Sequence, residues 1–422
     1  MIARAIYSTI LTLVAPLLLY GLYKKKPGKP SVGKRWKEHF GFTPAIPNCQ
    51  QPIWIHAASV GETLAVTPFI KQLKSRHADV SIVLTTTTPT GAEQAKRLGE
   101  LVTHRYMPVD FSFAVERFID VISPSQLIIV ETELWPNTIK AVSQAGIPIT
   151  LLNARLSEKS CRGYQKIAAL FRPITQQLTK VLCQFHDDAQ RFADLGVDKD
   201  KLIVTGSIKF DISVTDAVID QGNQLRQELG TQRPLWIAAS THEGEDEQIF
   251  SAHQKLLSEI PNALLLIVPR HPERFQKVAA LAKRLGFPTV TRSSGKSVSS
   301  DTQVYVGDTM GEMLTLMQAS DVCFMGGSLI GKKVGGHNLL EPAALGKPIL
   351  TGPSFYNFTD ITHALVAADG CKISHNTEEI VTHLKVWLKD DLLRESTGQK
   401  ALSVVQQNTG AIERSLAQIK VD

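Results

Sequence analysis

Short apolar runs alternate with helical periodicity along most of this chain. The segments 52–57, 80–85, 102–106, 126–130 and 148–152 are apolar nearly throughout, and 181–183 and 202–204 are two shorter runs. Stretches such as 63–76 and 136–144, between them, place apolar residues three and four apart. Strands that are apolar on both sides and separated by helices predict a parallel sheet covered on both faces. The pattern then restarts. Strands are predicted at 235–239, 263–268, 303–306, 322–325 and 348–350, and helices at 245–260, 273–285, 310–318 and 338–344. The polar stretch 206–233 reads as the crossover, 292–301 as a loop, and the tail from Thr377 as amphipathic helix. No internal repeat and no low-complexity segment interrupts the series.

Two consecutive doubly wound α/β domains are therefore expected, facing a shared cleft. In such sheets ligands sit beyond the carboxyl ends of the strands. A length of 422 residues, 43% of them hydrophobic, suits two cores better than one. The expected division is 1–27 as an anchor, 28–208 as the first domain and 209–422 as the second.

Charge changes the picture only at the N-terminus. Residues 1–37 carry eight bases (Arg4, Lys24, Lys25, Lys26, Lys29, Lys34, Arg35 and Lys37) and no acid, while the remaining 38 bases face 40 acids. That balance excludes a nucleic-acid protein with a broad basic face. The segment 5–23 has no charge, and as a helix would extend roughly 28 Å, close to the thickness of a bilayer's hydrocarbon. Lys24-Lys25-Lys26 behind it reads as a stop-transfer collar, which places the rest of the chain in the cytoplasm. A cleaved signal peptide fits less well, because only Arg4 precedes the apolar run and no cleavage site follows. A membrane anchor is expected, either spanning or lying in one leaflet. The five scattered cysteines, Cys49, Cys161, Cys183, Cys323 and Cys371, read as reduced thiols.

The chemistry gathers where strands end. HAASVGET (56–63) leaves the first strand through small residues around one carboxylate, Glu62. Thr63 can cap the helix that follows, and Glu62 can simply complement its dipole. The same carboxylate, cleared of bulky neighbours, suits proton removal from a substrate hydroxyl. Both readings stand. VETELWPN (130–137) places Glu131 and Glu133 at another strand exit, on one side of the chain if the strand continues, and Pro136 opens a helix. One of the two carboxylates is expected to serve only that helix. GSIKFD (206–211) offers Lys209 as an anion partner. VPRHPER (268–274) ends a strand in Pro269 and Arg270, whose planar fork suits phosphate or carboxylate. His271 is given no catalytic role. The loop GGSLIGKKVGGHNLLEP (326–342) has five glycines and is not a Walker loop. Its N–H groups and the helix start near Asn338 are expected to attract phosphate, and Glu341 can accept two ribose hydroxyls. Gly311-Glu312-Met313 forms another helix start. There is no H-x-x-x-H pair, so no metal site is expected. Phosphate and ribose features in one domain and isolated carboxylates in the other fit sugar transfer from a nucleotide donor. A UDP-sugar transferase or epimerase and a membrane-anchored scaffold with a degenerate nucleotide site are the alternatives.

HAASVGE, ETELWPN, GSIKFD, PRHPERF, GEM and GGHNLLEP, in this order, resemble the bacterial 3-deoxy-D-manno-octulosonic acid (Kdo) transferases of lipopolysaccharide synthesis. The resemblance includes the apolar N-terminus and GKRWKEHFG (33–41), and so runs through nearly the whole chain. It implies a GT-B glycosyltransferase that moves Kdo from CMP-Kdo to the lipid A precursor, lipid IVA, at the cytoplasmic face of the inner membrane. The implied reaction is inverting, with no cofactor, no metal and no nucleic-acid partner. Glu62 becomes the proton acceptor, with Glu131 and Lys209 stabilising the transition state. Pro269, Arg270, Gly311, Glu312, Met313, Asn338, Leu339, Leu340 and Glu341 become CMP contacts. The region of Arg35 and Trp36 is the expected apolar and basic patch for the acceptor.

Overall fold

A computed structural model describes residues 2–24, 30–46 and 51–421; Lys25, Lys26 and Lys29 of the basic collar, and Cys49, lie outside them. The chain forms two compact units. The first comprises Met1–Asp211 and Thr409–Asp422, the second Ile212–Asn408.

The first unit is built on seven parallel strands: β1 Ile53–His56, β2 Ile82–Thr86, β3 Thr103–Tyr106, β4 Gln126–Val130, β5 Ile149–Ala154, β6 Lys180–Cys183 and β7 Leu202–Val204. Their order across the sheet is β3-β2-β1-β4-β5-β6-β7. Side chains alternate between two cores, as strand geometry requires. Trp54, Val83, Leu127, Ile129 and Leu151 enter one. Ile53, Ile55, Leu84, Ile128, Val130 and Leu152 enter the other. Burial on both faces is why these strands read as continuous apolar runs.

The second unit repeats the plan with β8 Leu235–Thr241, β9 Leu264–Pro269, β10 Thr289–Thr291, β11 Val304–Val306, β12 Val322–Met325, β13 Ile349–Thr351 and β14 Cys371–Ile373. The order is β10-β11-β9-β8-β12-β13-β14. Two strands escaped the sequence reading, β10 and β14. Each has three residues and lies at a sheet edge, where one neighbour is missing and the apolar demand is weaker. The stretch 206–233 is also more than a crossover: Asp216–Leu229 is a helix. Gly222 sits so close to Gln318 of the helix Met313–Gln318 that an added Cβ would lie 2.4 Å from its side chain. A largely polar helix that buries only Gly222, Leu225 and Leu229 has a weak periodic signal.

The last helix, Ala411–Leu416, belongs to the first unit rather than the second, where the sequence reading places it. Ala411, Ile412, Leu416 and Ile419 join the core that contains Ile53 and Leu84. Asp211 fastens the return, accepting hydrogen bonds from the N–H groups of Gly410 at 2.6 Å and Ile412 at 2.5 Å. Arg414 donates to the carbonyl of Thr205 at 2.7 Å, and Glu413 meets Arg76 and Gln72.

The N-terminal helix, Ile2–Tyr23, is long and apolar enough to cross a membrane. Only 11% of its most apolar window is buried.

Loss of the Asp211 carboxylate strands two backbone donors. Asp211→Ala is expected to lower the unfolding free energy of the first unit by about 2–3 kcal/mol. Asp211→Asn, which keeps one acceptor, should cost about half of that. Urea titration read by tryptophan fluorescence measures both, and an Ala variant as stable as wild type would contradict this account of the C-terminal return.

Candidate active site

Strand order reverses between β1 and β4 in the first sheet. The loops leaving those two strands diverge to opposite faces and leave a crevice. Glu62 lies just after β1 and Glu131 just after β4.

The helix Val60–Arg76 begins three residues earlier than expected, and its N-cap is Ser59, not Thr63. Ser59 Oγ accepts from the Glu62 N–H and donates to Glu62 Oε1 at 2.8 Å. Glu62 Oε2 accepts from the Ala58 N–H at 2.7 Å. The capping role is thus filled, yet each oxygen keeps a lone pair for a further donor. The side chain is half-buried. Burial raises its pKa above the usual carboxylate range; the hydrogen bonds from Ser59 and Ala58 oppose this, and the charges of Glu131 and Glu133 add to it.

Strand β4 ends at Val130, and Glu131 takes a left-handed backbone conformation, φ 62°. The alternation that would align Glu131 with Glu133 therefore stops one residue short. Such a conformation is costly for a residue with a Cβ and gathers at functional sites. The turned Glu131 meets Lys209 Nζ at 2.6 Å. Glu133 instead accepts from Trp135 Nε1 at 2.9 Å. Neither glutamate caps the next helix. That task falls to the buried Asp110, which accepts from the N–H groups of Asn137 at 3.0 Å and Thr138 at 2.7 Å. Asp110 lies on a loop far away in sequence, so no local pattern marks it.

The second sheet reverses between β8 and β12. Loop 326–342 leaves β12 there, and Gly326 packs against the backbone of Ser240 and Thr241, where a Cβ would come within 2.9 Å. The expectation that this loop offers its N–H groups to phosphate needs correction at Gly327, Ser328 and Leu329. The fully buried Glu245 already accepts from the N–H groups of Gly327 at 2.7 Å, Ser328 at 3.0 Å and Leu329 at 3.0 Å, and from His242 at 3.1 Å. A resident carboxylate occupies the nest and holds the loop in shape. The following helix, Leu340–Ala344, has only five residues; Asn338 Oδ1 accepts from the Leu340 N–H at 3.1 Å.

Arg270 follows β9 directly and is exposed. Its N–H donates to the carbonyl of Thr241 at 3.0 Å, and its positive charge is near enough to Glu341, His337 and His242 to affect their pKa values. His242 and His337 stack, with rings 5.1 Å apart and an Nε2–Nε2 distance of 2.8 Å. Burial pushes His242 down to about 4 and His337 to about 3, aided by the Arg270 charge, so both are neutral near pH 7. Burial raises Glu341, against the pull of Asn338 and Arg270. Pro269, Leu339 and Leu340 are buried. Gly311, φ 87°, turns the chain into the helix Met313–Gln318. Glu312 pairs with Arg292 at 3.0 Å, which holds its carboxyl below the ordinary range.

Arg35 is less available than expected. It grips Glu38 with two hydrogen bonds of 2.6 and 2.8 Å and lies 4.7 Å over the ring of Tyr106. Trp36 beside it is exposed. The described cysteines are all buried and free, and burial pushes Cys183 and Cys371 up to about 12. Among the described residues, no three His, Cys, Asp or Glu side chains are grouped to hold a metal ion.

Residues 34–212 match the model of the family described as 3-Deoxy-D-manno-octulosonic-acid transferase (kdotransferase). A 3-deoxy-D-manno-octulosonic acid transferase of Haemophilus influenzae is 40% identical over 99% of this chain and 98% of its own length. One from Bordetella pertussis is 31% identical over 98% of each. Among solved structures, the UDP-GlcNAc 2-epimerase of Neisseria meningitidis bound to UDP-GlcNAc matches 87% of this chain and 100% of its own, with a TM-score of 0.56. At 15% identity that likeness speaks for the two-sheet GT-B fold alone. Near full-length identity to named transferases, together with acidic and basic residues at both strand reversals, assigns this chain to the 3-deoxy-D-manno-octulosonic acid transferase family of glycosyltransferases.

Proposed function

We propose that this glycosyltransferase moves Kdo from CMP-Kdo to a sugar hydroxyl of the lipid A precursor, lipid IVA. The observation that carries the reading is a carboxylate of raised pKa, Glu62, at the β1/β4 reversal beside the ion pair of Glu131 and Lys209. Glu62 accepts the proton of the acceptor hydroxyl. The hydroxyl oxygen forms its bond to the anomeric carbon of Kdo as the bond from that carbon to the CMP phosphate oxygen breaks. The electron pair leaves with CMP. Attack from the face opposite the nucleotide inverts the configuration. The anomeric carbon passes through oxocarbenium character, and Glu131 and Lys209 steady the charges of that state.

On the donor side, Arg270 takes the growing negative charge of the CMP phosphate, a role that elsewhere falls to a metal ion. The Glu245 carboxylate takes the N–H groups of Gly327, Ser328 and Leu329 at the start of the loop, so the guanidinium rather than that nest is assigned the phosphate. Glu341 and Asn338 accept the ribose hydroxyls. Pro269, Leu339 and Leu340 bound the base and sugar, and Gly311, Glu312 and Met313 close the remaining side. The apolar N-terminal helix anchors the enzyme at the cytoplasmic face of the inner membrane, beside an acceptor that cannot leave the bilayer.

Glu62→Gln should slow turnover about 10²- to 10⁴-fold with little change in donor affinity. The base works only when deprotonated and its pKa is raised, so the wild-type rate should fall with decreasing pH from a point above the ordinary carboxylate range. The Gln variant should lose that limb. Kdo transfer measured from pH 5 to 9 in EDTA tests both, and full activity in the variant would end the assignment. CMP should protect the chain against thermal unfolding more than UDP does. Arg270→Ala should weaken that CMP binding about 10- to 100-fold, the worth of a lost hydrogen bond to a charged group. Equal protection by UDP would point to a different donor.

A further inference from the structure

The N-terminal helix is fastened to the first unit along most of its length. Tyr7 donates to Asp110 Oδ2 at 3.0 Å, and the Asn137 amide donates to Ser8 Oγ at 3.0 Å. Leu11 and Ala15 are buried. Leu19 and Tyr23 line an apolar pocket with Val32, Trp36 and Phe40, and Tyr23 Oη meets His39 Nδ1 at 2.9 Å. These positions recur every three or four residues and so form one stripe. From Tyr7 to Tyr23 the stripe covers about 24 Å of helix axis. The opposite side presents bare apolar residues: Ile2, Leu13 and Leu17 are 78%, 75% and 71% exposed.

A helix that crosses a bilayer passes through about 30 Å of hydrocarbon. If this helix crossed while keeping these contacts, Asp110, Asn137, His39 and the surface around them would enter a medium without water, where polar groups lose their partners. The docked helix therefore cannot be a span. We propose that it lies side-on in a single leaflet, bound to the first unit by the stripe through Tyr7, Ser8, Leu11, Ala15 and Tyr23, with the face carrying Ile2, Leu13 and Leu17 in the acyl region.

Charge selects the occupant. Arg4 lies near one end of the helix and Lys24 at the other, and Lys34 and Lys37 are exposed on either side of Trp36. This pattern complements anionic headgroups. Exposed aromatic rings stand near both ends. The Trp36 carbonyl is 3.4 Å from Tyr23 Oη, and Phe113, three residues after Asp110, is 52% exposed. An amphipathic ring such as that of Trp36 settles at headgroup level. A narrow docked stripe with hydrogen bonds at Tyr7, Ser8 and Tyr23 and a broad, bare apolar face opposite is the pattern of a helix that lies in a surface, not of one surrounded by lipid.

This inference rests on the membrane reading given above, and the test separates the two. Ile2→Cys and Leu13→Cys are introduced singly into the full chain; both sites are exposed, so neither variant disturbs packing. Intact spheroplasts and inverted inner-membrane vesicles are treated with a membrane-impermeant maleimide, with the wild-type chain as background. The Ile2→Cys chain is expected to stay at background labelling from the periplasmic side. The Leu13→Cys chain is expected to label at least tenfold more slowly in inverted vesicles than after denaturation in SDS. Periplasmic labelling of the Ile2→Cys chain would establish a span and overturn the side-on arrangement. Rapid labelling of the Leu13→Cys chain in vesicles would show that the apolar face is not in lipid and overturn it equally. If the chain is absent from the membrane fraction, the membrane reading itself fails with it.

Discussion

A backbone N–H that leaves a doubly covered parallel sheet has no neighbouring strand to bond and no water to replace one. The folded form of this protein depends on how those donors are met. Again and again the partner is a buried carboxylate. Asp110 accepts two N–H groups at the start of the helix Pro136–Gln144. Asp188 accepts those of Leu156 and Phe185. Asp211 takes two from the C-terminal return, and Glu245 takes four from the loops after β8 and β12. Hydrogen bonds to an ionised acceptor are the strong kind, so one side chain can freeze a loop that would otherwise move.

That device decides what the strand ends can do. Where a carboxylate is spent on backbone donors, as at Asp110 and Glu245, it positions and does not react. Glu62 stands between the two conditions. Its oxygens accept from Ser59 and Ala58, yet it remains half-buried and near two other glutamates. The local bonds fix its direction, while burial and like charge raise its proton affinity. Glu131 is held differently, by a left-handed backbone and a 2.6 Å ion pair with Lys209. A strained residue beside an ion pair, at a point where strand order reverses, supplies fixed charge without flexibility. The second sheet has strain on the other strand of its reversal: Ser240, near the end of β8, has φ 58°, and the register with β9 slips between Ala239 and Thr241.

The glycine-rich loop shows why a motif and its function must be separated. Five glycines before a helix suggest a cradle of donors for phosphate. Three of those donors are bound by Glu245, a residue more than eighty positions earlier. Four of the five glycines serve close packing, with Gly326 pressed against the backbone of Ser240 and Thr241, while Gly331 stands in open space with a left-handed backbone. Arg270 is an exposed positive group beside the loop, near two stacked neutral histidines and Glu341. Similarly, Arg35 reads as a free base in GKRWKEHFG but is held by Glu38 and Tyr106.

Most of the architecture was legible from the order of residues, because a strand buried on both faces must be apolar at every position. The central strands of both sheets followed from that demand. So did the switch to helical spacing between them, the apolar N-terminal helix and the family resemblance carried by motifs such as HAASVGE and GGHNLLEP. The edge strands β10 and β14 and the polar helix Asp216–Leu229 did not follow, since half-buried elements place weaker constraints on composition; the equally short edge strand β7 did, because Leu202-Ile203-Val204 is apolar throughout. What only the tertiary structure decided is pairing across long sequence distances: Asp110 with the Asn137 turn, Glu245 with Gly327, Asp211 with Ile412, Tyr7 with Asp110. A carboxylate looks the same in a sequence whether it will be met by backbone donors, by a lysine or by a substrate. Its partner is chosen by which loops the strand order brings together, and strand order is a property of the folded sheet, not of any local segment.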